Sequence, residues 1–100
     1  MTIPVQECKS KIARFYNNFV VPLTGKYRDI IVDNLMNDDN PRIRIRYGTN
    51  LCIITYGDYN TQQYSLNWYV NDKKSVPEMV SHDMNAIALQ LDLDAKTYFS

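Results

Sequence analysis

At 100 residues the chain is long enough for one domain with one modest core. Apolar residues make up 45% of it, and no apolar run approaches the roughly 18 residues that span a bilayer, which excludes a disordered chain and a transmembrane helix. Eleven basic side chains balance eleven acidic ones; residues 1–50 hold eight basic and five acidic (net +3) and residues 51–100 three and six (net −3), a mild dipole that does not by itself make a nucleic-acid-binding protein.

The first stretch, "MTIPVQECKSK", has no basic region followed by an apolar block, so no secretory signal is expected. Cys8 and Cys52 then read as reduced, buried cysteines of a cytoplasmic protein. Pro4 suits a first helical turn, and Val5, Cys8, Ile12, Phe15, Tyr16 and Phe19 recur at helical spacing. Pro22 and Gly25 break or bend that helix. A second short helix is expected over 25–36, with Tyr27, Ile30, Ile31 and Leu35 on one side, although the β-branched "DIIV" leaves a strand open. "NDDNP" stops this element, because a residue before proline avoids the helical region.

Three strands follow, "RIRIRY" at 42–47, "LCIITY" at 51–56 and "QYSLNWYV" at 63–70, joined by the turns "GTN" and "DYNT". "SVPE" at 75–78 reads as a capping box from Ser75 to Glu78. It predicts a helix that buries Val76, Met79, Val80, Met84, Ile87, Ala88 and Leu91. The expected fold is a single α+β domain over 1–100. It consists of a three-stranded antiparallel meander with an N-terminal helix, or two, and a C-terminal helix, packed mainly on one face.

Loop length sets the expected register. A three-residue loop at 48–50 places Tyr47 opposite Leu51 and Ile45 opposite Ile53, and a four-residue loop at 58–61 places Tyr56 opposite Gln63 and Leu51 opposite Trp68. The core face then holds Ile43, Ile45, Tyr47, Leu51, Ile53, Tyr64, Leu66 and Trp68. The other face holds Arg42, Arg44, Arg46, Cys52, Ile54, Tyr56, Gln63, Ser65, Asn67 and Tyr69. A two-residue Gly48-Thr49 turn would reverse the parity of the first hairpin.

Residues for catalysis or metal binding do not converge. His82 is the only histidine and reads as solvent-facing, and the cysteines lack a Cys-x-x-Cys spacing. Asp33, Asp38 and Asp39 lack the glycine and terminal glutamate of a calcium loop and read as turn residues. Glycines at 25, 48 and 57 are too scattered for a phosphate cradle. No metal, cofactor or enzymatic activity is expected.

The C-terminal "AIALQLDLDAKTYFS" resembles the helix-turn-helix of bacterial repressors, a helix ending in leucine before a second helix that opens with Lys-Thr. Asp92 stands where that turn has glycine, and the segment is acidic, so duplex DNA reading is not expected. Tyr98 and Phe99 read instead as tucking back on the core. "NPRIRIRY", following a helix and leading into a hairpin and another helix, resembles thioredoxin-like accessory subunits of mitochondrial ribosomes and respiratory complex I. That resemblance transfers no residue role.

Alternating arginines are one device that protects an edge strand from aggregation. Beside Ile54, Tyr56 and Tyr69 they also suit a binding face, since arginine and tyrosine are enriched at protein interfaces. The expected partner-binding set is therefore Arg42, Arg44, Arg46, Ile54, Tyr56 and Tyr69. Compact, motif-free, tyrosine-rich proteins of this size resemble phage and mobile-element inhibitors, anti-CRISPRs among them, and toxin-immunity proteins. The expected function is that of a non-enzymatic binder occupying a surface on a protein or nucleoprotein partner, away from any membrane. The alternative is an RNA-binding or ribonucleoprotein component, with bases stacked on Tyr56 and Tyr69.

Overall fold

The computed structural model describes residues 3–36, 40–57 and 61–99. The expected turn residues Asp38, Asp39 and 58–60 lie outside the described residues.

Helix α1 (Val5–Phe15) follows Pro4, whose carbonyl accepts from the N–H groups of Glu7 and Cys8. It buries Cys8, Ile12 and Phe15, the stripe its periodicity predicts, while Val5 is exposed. The helix does not stop before Pro22. It widens into a π-helical turn (Tyr16–Val20), in which the Val21 N–H reaches back to the Tyr16 carbonyl. It then rewinds as α2 (Val21–Lys26), with Pro22 in the first turn, where a missing N–H costs least.

Residues 25–36 do not form a second helix. Ile31–Leu35 is strand β1, antiparallel to β2 (Arg42–Tyr47), with Asp33 opposite Arg44. Two physical effects outweigh the helical spacing. The run Ile30-Ile31-Val32 is β-branched, and the outer backbone groups of β2 need a partner.

The sheet is also wider than three strands. Its order is β1-β2-β3-β4-β5, with β3 at Asn50–Tyr56, β4 at Tyr64–Val70 and β5 at Lys73–Lys74. A last short strand, β6 (Met79–Ser81), also pairs with β4. β5 and β6 share the place beyond β4: Lys74 and Lys73 face Tyr69 and Val70, while Ser81 to Met79 face Tyr64 to Leu66. Asn71 and Asp72 both have positive φ, +53° and +65°, the pattern of a type I′ turn that both residue types tolerate.

The 75–78 segment caps no helix. The Ser75 N–H donates to the Trp68 carbonyl at 2.9 Å, and Asn67 Nδ2 donates to Glu78 at 2.8 Å, so the segment works at the sheet margin. Helix α3 (Met84–Tyr98) starts later, where the Asp83 carboxylate accepts from the Asn85 N–H at 2.9 Å. Asp83→Ala should cost about 1 kcal/mol in a urea unfolding curve. No measurable loss would show that another group holds this helix end.

All three helices pack on one face of the sheet. Cys8, Ile12, Phe15 and Leu23 from one side and Ile87, Leu91, Ala95 and Phe99 from the other form one core with Ile43, Ile45, Cys52, Ile54, Leu66 and Trp68. Residues 84–98 run as one helix without an internal turn, so the helix-turn-helix likeness has no structural counterpart. Phe99 is buried and Tyr98 stacks on Trp68 at 4.6 Å between ring centroids, so the tail closes the core as its sequence predicts. Among the described residues no helix is long and apolar enough to cross a membrane.

Candidate functional site

The turn between β2 and β3 decides which side chains share a surface. It is the two-residue Gly48-Thr49 turn, with Gly48 at φ +59° and Tyr47 opposite Asn50. Type II′ turns put glycine at this first position because an L side chain resists positive φ there. The expected three-residue loop is therefore corrected, and every side chain on β3 changes face. Ile43 lies opposite Ile54, and Ile45 opposite Cys52. The second hairpin shifts to match, with Tyr56 opposite Tyr64, Ile54 opposite Leu66 and Cys52 opposite Trp68.

Of the expected binding residues, Arg42, Arg44, Arg46 and Tyr69 share the face away from the helices, and Ile54 and Tyr56 do not. Ile54 is fully buried and Tyr56 is 5% exposed, both in the core. The Tyr56 ring meets Tyr64 edge-on at 4.9 Å, and Lys11 sits over it at 5.8 Å. Burial raises the phenol pKa of both Tyr56 and Tyr64 above the ordinary value of 10, with the nearby Glu7 charge adding to the rise at Tyr56 and the neighbouring Tyr56 to that at Tyr64. The unfolded chain thus ionises first. The stability held by these neutral phenols is intact below pH 10 and falls as pH rises through and above it.

Leu51 and Ile53 take the places expected for Ile54 and Tyr56. Ile53 lies opposite Arg44 on one side and Asn67 on the other, and Leu51 opposite Arg46 and Tyr69. All four of Leu51, Ile53, Tyr69 and Arg44 are half-buried, and no described helix packs over them. β1 extends this face with Ile31 and Leu35, and β6 ends it with Val80; Ile31 and Val80 are 55% and 44% exposed. Between these apolar margins run buried polar groups: the paired hydroxyls of Thr55 and Ser65, and Asn67.

Asp33 organises the arginines. Arg44 Nε and Nη2 donate to the same Asp33 oxygen at 3.2 and 3.1 Å, and Arg46 Nε lies 3.6 Å from it. Arg42 donates to the Asn40 carbonyl at 3.1 Å. Because β1 covers the outer side of β2, the arginines do not lie on an edge strand. Arg44 and Arg46 thus share the one carboxylate of Asp33. The partly exposed pairs add little to stability: Asp33→Asn should cost about 0.5 to 1 kcal/mol, less at high salt. A loss well above that in thermal unfolding would mean that Asp33 anchors β1 itself.

His82 precedes α3 rather than lying within it. Its Nδ1–H donates to the Gln62 carbonyl at 2.8 Å, and Nε2 accepts from the Gln63 amide at 3.2 Å, which pins the start of β4 to the end of β6. Both cysteines are buried, and burial, then the charge of Asp94, raises the pKa of Cys52. Among the described residues no three His, Cys, Asp or Glu side chains come together to hold a metal ion. No protein-family model, no curated protein and no solved structure matches this chain.

Proposed function

We propose that this chain is a non-enzymatic binding protein that lays its helix-free sheet face against an acidic, partly apolar surface of a protein partner. One observation carries the reading: Leu51 and Ile53 lie uncovered opposite Arg46 and Arg44, on a face that Tyr69, opposite Leu51, extends on the far side. An apolar centre with tyrosine and arginine is the composition of protein interfaces, and two guanidiniums, Arg44 and Arg46, sharing one carboxylate favour an acidic counterpart. Asp33 supports the same role, since it holds Arg44 and Arg46 before a partner arrives and lowers the entropy lost on binding.

RNA ranks below protein for a structural reason. Tyr56 faces the core, so the pair of tyrosines on which bases would stack is not assembled beside the arginines. An inhibitor acting by occupancy, of the anti-defence or immunity kind, needs nothing more than such a face on a stable scaffold. Two buried cysteines with no disulfide between them suit a reducing compartment such as the cytoplasm.

Affinity capture from the native host, with and without nuclease, tests this reading. A protein captured near stoichiometry should survive nuclease, be lost with Ile53→Asp, and be retained with Leu89→Ser on the helical side. Capture indifferent to Ile53→Asp would overturn the choice of face. Release by nuclease would replace the protein partner with RNA.

A further inference from the structure

The helical side of the molecule, away from the arginines, carries apolar surface that the fold leaves open. Helix α3 turns Ile87, Leu91 and Ala95 into the core, yet Leu89 and Leu93, one turn apart on its outer side, are 62% and 49% exposed. A surface helix ordinarily confines its apolar residues to one stripe, and a helix apolar on opposite sides is ordinarily covered on both.

A groove of about 350 Å³ runs beside Leu89, between α3 and α2. Phe19, Pro22 and Leu23 line it from one side, and Ala88 and Leu89 from the other. Phe19 belongs to the π-helical turn, a rare conformation that recurs at functional sites. The lining also holds one cation and one anion. Lys26 Nζ lies 3.7 Å from an Asp92 carboxylate oxygen, and both side chains are about half exposed.

Two features of this patch identify its occupant. It sets exposed leucines directly beside a recess, and it carries one charge of each sign. An isologous interface needs one patch that is complementary to itself in shape and charge. A strongly charged partner, in contrast, finds no potential of opposite sign here. We infer that a second copy of this chain covers the face, as a two-fold dimer in which α3 packs antiparallel on α3. Centred on Leu89, this packing sets Leu93 opposite Asn85 of the second copy, at the wall of its groove. Helix α3 is only about 22 Å long, so the interface is small and the dimer weak, with an expected Kd of about 100 µM or tighter. The arginine face of each copy stays open on the far side of its sheet.

Sedimentation velocity of the intact chain between about 10 µM and about 1 mM reads the monomer–dimer equilibrium. The parent should pass from monomer to dimer over that range. The Leu89→Ser, Leu93→Ser double variant should associate at least about tenfold more weakly at an unchanged melting midpoint, and the Arg46→Glu, Tyr69→Ala variant should dimerise as the parent does. Lys26→Glu and Asp92→Lys should each weaken self-association, and an equimolar mixture of the two should restore it, because each then meets a face of opposite charge. A parent that stays monomeric throughout, a dimer undiminished by the leucine variant or lost with the arginine-face variant, or a mixture no stronger than its components would each overturn the proposal. Capture of a host protein that is lost with the leucine variant would assign the face to a foreign partner and overturn it likewise.

Discussion

Trp68→Ala is expected to cost about 3 to 5 kcal/mol, the largest loss of any single truncation in this chain. Trp68 is 1% exposed, sits opposite Cys52 in the sheet, and touches both Tyr98 and Phe99. Removing it therefore opens a void under the end of α3 and strips the C-terminal tail of its main contact. Circular dichroism in urea measures the change. A midpoint shift worth less than about 1 kcal/mol would mean that the tail and the sheet do not share one core.

A pair of neighbouring substitutions should differ even more sharply. Ile54→Asp places a carboxylate in the core, where Ile43 and Leu66 flank it, and should prevent folding or cost more than about 4 kcal/mol. Ile53→Asp, one residue earlier, puts the same group on the uncovered face beside Arg44 and should cost about 1 kcal/mol or less. Thermal unfolding of the two variants distinguishes the observed register from its one-residue slip. The slip predicts the reverse order of stability.

That slip also shows where the sequence stops being informative. Alternation in "RIRIRY" orients β2 without ambiguity, because arginine cannot share the core with isoleucine. "LCIITY" carries apolar side chains on both faces, so alternation does not orient β3, and its parity rests on whether the turn has two residues or three. The glycine at the first position of that turn was the available signal. The same ambiguity moved Ile54 and Tyr56 into the expected binding set and kept Leu51 and Ile53 out of it.

Two other departures have local causes. The helical spacing of Tyr27, Ile30, Ile31 and Leu35 competes with the β-branching of Ile30, Ile31 and Val32, and pairing with β2 settles the contest for the strand. "SVPE" has the letters of a capping box, but its backbone is drawn to the open side of β4, and the Asp83 cap starts the helix instead. The first helix, the positions of the three longest strands and the return of Tyr98 and Phe99 were legible because long periodic patterns and turn residues agree there. The high tyrosine content was a weaker guide than it looked. Tyr56 and Tyr64 are buried in the core, while Tyr27 and Tyr47 lie against Phe99. Among the described tyrosines only Tyr69 lies on the arginine side of the sheet, across Leu51 from Arg46, so the proposed binding face has less aromatic surface than the composition implies.

The central claim is that the arginine, leucine, isoleucine and tyrosine face of the sheet is where a protein partner sits. The most direct measurement is the affinity of the captured partner for the Arg46→Glu, Tyr69→Ala double variant against the parent chain, by titration calorimetry. Both positions are at least partly exposed, so the fold should survive with little change in melting midpoint. Binding should weaken by about a hundredfold or more, through one repulsive charge and one lost anchor. An affinity within about threefold of the parent, from a variant that folds normally, would contradict the assignment of this face.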